Sequence, residues 1–246
     1  MDMEFAACFG FTKKEDYVNE LNNRFSAETT ENFLRFLIKD FGENIALSSS
    51  LGPEDQVLTD MMVKINKNSR IFTLDTGRLF PETYSLLDRT NIHFGIKIRV
   101  YFPDLHNIEE MVSSEGVNLF YENIEKRKLC CRFRKLEPLS RAFAGLEAWV
   151  CGLRREQSVT RHDMKLVEWD NANNLIKINP LINWTEKQVW EYIHKHGVPY
   201  NTLHDSGFPS IGCQPCTRAV KKGDDARSGR WWWESPEHRE CGLHKK

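Results

Sequence analysis

The sequence predicts an α/β fold, a parallel twisted sheet with helices on both faces and an irregular C-terminal tail. Short apolar runs alternate with stretches of helical period, the first two runs end in Ser- or Gly-bearing turns, and a proline opens the helical stretch that follows each. Strands alternating with helices imply crossover connections and hence a parallel sheet.

In chain order, the first 40 residues are expected to be helical, with Phe33, Leu34, Leu37 and Ile38 forming one buried stripe. Residues 44–48 form a short strand that runs into Ser48, Ser49, Ser50, Leu51 and Gly52, after which Pro53 suits the first turn of a helix. Val57, Leu58, Met61, Met62 and Ile65 give that helix its apolar face. Arg70–Leu74 is the next strand, followed by the turn Asp75-Thr76-Gly77-Arg78 and a helix opened by Pro81 and Glu82. Residues 97–102 are a third strand, 117–139 a charged and largely helical stretch, and 148–153 and Leu175–Ile178 two further strands. Thr185 with Gln188 is a capping-box pair, starting a helix that carries Val189, Trp190 and Ile193 and stops at Gly197 and Pro199. In such folds ligands bind beyond the carboxyl ends of the strands, where SSSLGPED and LDTGR fall.

A chain of 246 residues suits one domain, with residues 217–246 as a mobile C-terminal segment. Its 40% hydrophobic and 28% charged residues are ordinary for a soluble chain, and no apolar run approaches the roughly 20 residues of a membrane span. The opening MDMEFAACFG has neither the basic segment of a secretory signal nor the arginines of a transit peptide, so a cytoplasmic setting is expected. The net charge of -1 argues against a bulk nucleic-acid binder. Anions must instead be met by local clusters: Arg132, Arg134 and Lys135; Arg154, Arg155 and Arg161; Arg218, Lys221, Lys222, Arg227 and Arg230.

The serine-rich turn can wrap an anion with hydroxyls, backbone N–H groups and a helix N-terminus. Neither GxxxxGK[ST] nor GxGxxG is present, so it is no Walker loop and no dinucleotide fingerprint. Seven cysteines, an odd number without a leader, favour metal or redox chemistry over a disulfide framework. Cys130-Cys131 with Cys213-x-x-Cys216 offers four thiolates in two pairs. Adjacent cysteines strain to meet one zinc ion but can take different irons of a cubane, so the spacing favours a [4Fe-4S] cluster over zinc, with buried free thiols as the other alternative. Cys8 and Cys151 read as packing cysteines, Cys151 lying inside the apolar run AWVCGL. In the tail, three consecutive tryptophans, Trp231 to Trp233, carry too much apolar area to hang free. Cys241 has Arg239, His244, Lys245 and Lys246 close by, a setting that raises thiolate character.

The stretches SSSLGPEDQVL, FTLDTGRLFPETY, CCRFRKLEPL, GLRREQS, CQPC, RSGRWWWE and ECGLH together resemble the thioredoxin-dependent adenylylsulfate (APS) reductases of assimilatory sulfate reduction, over residues 44–244. The resemblance implies an adenine nucleotide alpha hydrolase-like fold, a [4Fe-4S] cluster on Cys130, Cys131, Cys213 and Cys216, and Cys241 as the nucleophile. It implies that Ser49, Ser50 and Gly52 form the phosphate loop, with Leu51 a departure from the small or aromatic residue usual there. Leu74 and Gly152 match the adenine site, and Lys135 a lysine between cluster and substrate. Arg161, Lys222, Arg227, Arg230 and His244 match positions that meet the phosphosulfate. The implied reaction is attack of the Cys241 thiolate on the substrate sulfur, release of AMP, and discharge of an S-sulfocysteine as sulfite by a thioredoxin or glutaredoxin-like dithiol. Cys241 is followed by five residues, so the dithiol is expected to come from a separate protein.

The competing reading nearest to this is a reductase of the 3'-phosphorylated nucleotide (PAPS), a branch that typically lacks the quartet. A tRNA thiolase would want a different loop and a basic surface, and a non-catalytic iron-sulfur regulator would not need Cys241. The sequence leaves the oligomeric state open, a homo-oligomer included.

Overall fold

The computed structural model describes residues 14–157, 161–221 and 223–235. Two helices come first, α1 (Lys14–Phe25) and α2 (Thr30–Phe41). Then strand β1 (Ile45–Ser48), helix α3 (Pro53–Ile65), strand β2 (Arg70–Leu74), helix α4 (Pro81–Phe94) and strand β3 (Arg99–Tyr101) alternate. Next come helices α5 (Leu105–Glu115), α6 (Ile124–Cys131) and α7 (Glu137–Phe143), then strands β4 (Ala148–Val150), β5 (Val167–Asp170) and β6 (Leu175–Ile178), and helix α8 (Glu186–His196).

The strands form one six-stranded sheet in the order β3-β2-β1-β4-β6-β5. The pairs β1/β2, β2/β3, β1/β4 and β4/β6 are parallel, whereas β5 runs antiparallel to β6. The sheet is therefore mixed rather than wholly parallel. The extra edge strand is half of a hairpin whose turn holds Asn174 in the left-handed region at φ 57, which asparagine tolerates. The order reverses between β1 and β4, and this switch point places the turns after the two strands side by side.

Side chains alternate across the sheet. Ile45, Leu47, Ile71, Ala148, Val150, Ile176 and Ile178 share a core with α1, α2, α3 and α8. Ala46, Phe72, Trp149 and Leu175 share a second core with Leu139, Ala142 and Phe143 of α7. Each fully buried leucine, isoleucine or phenylalanine here contributes roughly 1.5–3 kcal/mol. Two helix starts follow directly from sequence: α3 and α4 both begin on proline, and Thr185 and Gln188 make the reciprocal bonds of a capping box at α8.

The stretch 117–139 is less regular than its composition suggests. After α6 the backbone passes through a π-helical turn, Arg132–Leu136, before α7. A π turn adds a residue to the helical period, re-aims the side chains that follow, and is often found at functional sites.

Candidate active site

The two turns at the switch point are tied by one buried carboxylate. Asp55, in the first turn of α3, accepts the backbone N–H and the hydroxyl of Ser50, both at 2.6 Å, and the N–H of Gly152 at 3.1 Å. The loop spends its other donors internally as well, Ser49 N–H on the Phe72 carbonyl at 2.8 Å and Leu51 N–H on the Ser49 hydroxyl at 3.1 Å. Leu51 is held at φ 60 while 3% exposed, a conformation that costs a non-glycine residue about 1–2 kcal/mol. Such strain persists where the surrounding structure fixes it.

Burial lifts the Asp55 carboxyl to about 6; the bonds from Ser50 and Gly152 pull it down, and the Glu54 charge adds to the rise. A carboxyl raised in the folded state stabilises below its unfolded value of 3.8, and that contribution is lost as pH climbs through about 6. The stability of the wild type relative to Asp55→Asn is accordingly expected to fall by roughly 1 kcal/mol between about pH 5 and about pH 7. Denaturant midpoints of the two proteins at both pH values measure this, and a difference that does not change with pH would contradict it.

Gly152 is required by contact rather than by backbone angle. A Cβ there would lie 2.5 Å from Asp55 Oδ1, 2.7 Å from Glu54 Cβ and 3.1 Å from the Asp55 nitrogen. Gly152→Ala must push the start of α3 away from β4, at a cost of about 1–3 kcal/mol for the overpacking. The expected result is a lower melting temperature; an unchanged midpoint by calorimetry would show that the loop tolerates the shift.

A cavity of about 1080 Å³ opens above these turns. Ser49, Ser50, Gly52, Leu74, Lys135, Gly152, Arg161, Arg227 and Arg230 all line it. Lys222, Cys241 and His244, and Cys8 with its expected packing role, lie outside the described residues. The cations are not equivalent. Arg154 is committed to Glu54 at 2.7 Å and Glu156 at 3.2 Å, both contacts protein-internal. Arg161 is buried and held by Gln157. Arg230 is 6% exposed, with one long contact to the Ser210 hydroxyl at 3.5 Å and an Nε that has no partner among the described residues. A buried guanidinium with an unmet donor, on a residue that lines a cavity, suits an anion.

All four cysteines of the quartet line a second, small cleft, which shares Lys135, Cys213, Arg230 and Trp231 with the large cavity. Cys130 and Cys131 end α6, and Cys213 and Cys216 bracket a single turn pinned by the Gln214 N–H to the Arg78 carbonyl at 2.7 Å. Burial raises the Cys216 thiol to about 12, with the Cys213 and Cys131 sulfurs adding to the rise; burial likewise raises Cys130, against the opposing charge of Arg134. Thr76 Oγ1 lies 3.2 Å from the Cys213 sulfur. Cys151 is apart from this group, buried with its thiol on the Asn179 side-chain oxygen at 3.1 Å and raised by burial to about 12, which fits a packing thiol.

Among the described residues no group of three or more His, Cys, Asp or Glu side chains is gathered closely enough to hold one metal ion. The cleft nevertheless has the chemistry of a site for a larger anionic sulfur group. Besides four thiols it presents three side chains at least nine-tenths buried, Arg134, Arg230 and Trp231, each with a ring or guanidinium N–H that has no partner among the described residues. Arg78 and Lys135 add positive charge.

Thr217 and residues 229–234 are packed beside this cleft, whereas Lys221 and residues 223–226 are exposed. Thr217 and Arg230 form a bridge, Arg218 N–H donates to the Gly229 carbonyl at 3.0 Å, and a Cβ on Gly229 would run into the Arg218 carbonyl. Trp231 is 1% exposed in a core with Met111, Leu119, Phe120 and Cys216. Glu234 forms a two-point ion pair with Arg127 of α6, at 2.9 and 2.8 Å, both side chains nearly fully buried. The docking expected of the tryptophans is thus observed for this part of the tail. Nothing in the sequence alone marks Asp55, Thr76, Arg127 and Glu234 as site residues. An acid pair at a helix start was visible there, but its burial was not.

The cation-lined cavity lies at the switch point of the sheet, where open α/β folds place their ligand sites. The Phosphoadenosine phosphosulfate reductase domain matches residues 44–219, and the chain belongs to that family. It is 53% identical over 204 residues to an adenosine 5'-phosphosulfate reductase of Allochromatium vinosum, covering 83% of this chain and 80% of that one. To the protein of that name from Neisseria meningitidis serogroup B it is 47% identical over 222 residues, covering 89% and 90%. Among solved structures, the phosphoadenylyl-sulfate (PAPS) reductase of Candida auris in a phosphate complex superposes with a TM-score of 0.73 at 29% identity, over 85% of this chain and 99% of that one. The FMN adenylyltransferase of Candida glabrata, at 16% identity and a TM-score of 0.55 over 92% and 83%, shares the fold.

Proposed function

We propose that the protein reduces adenosine 5'-phosphosulfate to sulfite and AMP, with electrons from a thioredoxin or glutaredoxin-like dithiol, in the cytoplasm. The observation that carries this is the shared wall of Lys135, Cys213, Arg230 and Trp231 between a nucleotide-sized cavity and a four-cysteine cleft, in a chain of the phosphosulfate reductase family.

Adenosine is held against Leu74 and Gly152, and the phosphosulfate lies among Lys135, Arg161, Arg227 and Arg230, with Lys222 and His244 supplied from outside the described residues. Because Asp55 takes both Ser50 donors, the side-chain cations rather than the loop carry most of the anion's charge. The Cys241 thiolate attacks the sulfur; an S–S bond forms, the S–O bond to the phosphate breaks, and AMP leaves with the electron pair onto the cationic wall. A dithiol thiolate then attacks Cys241, sulfite leaves, and the second thiol of the partner resolves the mixed disulfide, restoring the Cys241 thiol and leaving the partner oxidised. Part of the segment from residue 217 opens and closes between these steps, since the nucleophile must be enclosed for the first and reachable for the second.

Cys130, Cys131, Cys213 and Cys216 would hold a [4Fe-4S] cluster, with Thr76 and Arg134 beside its ligands. Such a cluster supplies charge and a rigid scaffold, and the two electrons of the net reaction come from the dithiol.

PAPS is the second reading, favoured by the Candida auris structure. The two nucleotides assayed side by side with a thioredoxin system decide the matter. APS is expected to be turned over at least a hundredfold more efficiently, about 2.7 kcal/mol in transition-state binding; equal or better use of PAPS would transfer the assignment.

A further inference from the structure

The dithiol that discharges Cys241 must bring its own sulfur into contact with that one, so the two proteins touch around the nucleophile. Cys241 is six residues on from Ser235, a length of chain that spans at most roughly 20 Å. The partner therefore lands close to the residues that lead up to Ser235, and an apolar face stands there. Trp232, half-buried, has its ring 6.2 Å from that of Tyr121 and the Arg218 guanidinium over it at 5.3 Å. Tyr121 is 43% exposed, and Val117, four residues before it, is 55% exposed.

This face is held in shape before any partner arrives. The Tyr121 hydroxyl donates to the Pro215 carbonyl at 2.7 Å, and the Trp233 ring packs 4.5 Å from that of Tyr121 and 4.8 Å from that of Trp232. The buried pair of Arg127 and Glu234 fixes the chain just beyond Trp233. Tyrosine, tryptophan and arginine on a preorganised surface are the residues that carry most of the binding energy at interfaces. The extent of the face also selects its occupant. A few side chains suit a transient redox encounter, under about 1,200 Å² in total, whereas a stable pair of identical chains buries about 2,000 Å² or more.

We propose that Val117, Tyr121, Trp232 and Arg218 form the docking face for the dithiol protein, an inference that rests on the reaction proposed above. The partner it fits has an apolar surface around its reactive thiol and a carboxylate placed to meet Arg218. Seated there, its thiolate bonds to the Cys241 sulfur and sulfite leaves with the electron pair of the broken S–S bond. The partner's second thiol then closes its own disulfide and returns the Cys241 thiol. None of the four residues lines the nucleotide cavity, so changes to them spare the first step.

The test incubates full-length protein with adenosine 5'-phosphosulfate and no reductant, measures the AMP released, and then discharges the modified enzyme with either thioredoxin or dithiothreitol. Trp232→Ala removes the central ring, and Val117→Glu puts a charge on a mostly exposed position where no core packing is lost. Both variants are expected to release AMP at the wild-type rate. Thioredoxin below saturation should discharge them roughly tenfold or more slowly, and dithiothreitol at the wild-type rate. Should Trp232→Ala prove unstable, Val117→Glu decides. Ile92→Glu, at a 73% exposed side chain near the far end of α4, should match the wild type throughout. Discharge by thioredoxin as fast as in the wild type would overturn the proposal. So would an equal loss with both reductants, which marks altered access to the sulfur. A wild-type dimer that dissociates in the variants on sedimentation would also overturn it, assigning the face to a second copy. Wild-type protein that accumulates no S-sulfocysteine would remove the reaction itself, a failure visible before any variant is made.

Discussion

Cys241→Ser is expected to lose sulfite production by about four orders of magnitude or more, while binding AMP with the affinity of the wild type. A serine hydroxyl is barely ionised at neutral pH and forms no bond from which a dithiol could release sulfite. The proposed nucleotide cavity is lined by the turns after β1 and β4 and by Lys135, Arg161, Arg227 and Arg230, all of which keep their side chains in this variant. Sulfite assay and calorimetry with AMP separate the two effects. Turnover above roughly a tenth of the wild type would identify a different nucleophile.

The largest stability effect is expected at Glu234. Glu234→Ala strands Arg127 without its carboxylate in a site where the two side chains are 4% and 3% exposed. Breaking a buried pair from one side costs about 3–5 kcal/mol. Arg127 lies on α6, three residues before Cys130, and also bonds the Cys131 sulfur, so the damage reaches the cysteine cleft. Denaturant unfolding and the rate of proteolytic cleavage within residues 217–235 give the measure. The double variant Arg127→Met with Glu234→Leu removes both charges and is expected to recover most of the loss. If Glu234→Ala unfolds at the wild-type midpoint, the ion pair does not hold the segment.

The parts of the fold legible in sequence are those governed by local rules. Prolines 53 and 81 open α3 and α4, Thr185 and Gln188 cap α8, and the runs at Arg70–Leu74 and Leu175–Ile178 are strands with those bounds. Strand β5 is not legible in the sequence because Val167–Asp170 is a short polar edge strand of mixed burial, specified by pairing with β6 rather than by its own composition. The π turn after Cys131 escaped for a related reason: its residues read as helical, and the extra residue per turn leaves no mark in hydrophobic period. At the site, residue types were legible and partnerships were not. Arg154 and Arg161 stand in one basic stretch, yet only the fold shows Arg154 spent on Glu54 and Glu156. Ser50 was recognised as part of an anion loop, but Asp55, five residues on, holds both of its donors.

In the proposed reaction the substrate sulfur passes through a covalent bond to Cys241. The direct measurement is mass spectrometry of protein incubated with adenosine 5'-phosphosulfate and no reductant. A sulfonate is expected on the peptide containing Cys241, in proportion to the AMP released and removed by added thioredoxin with release of sulfite. AMP release with Cys241 unmodified, or a sulfonate on another cysteine, would contradict it.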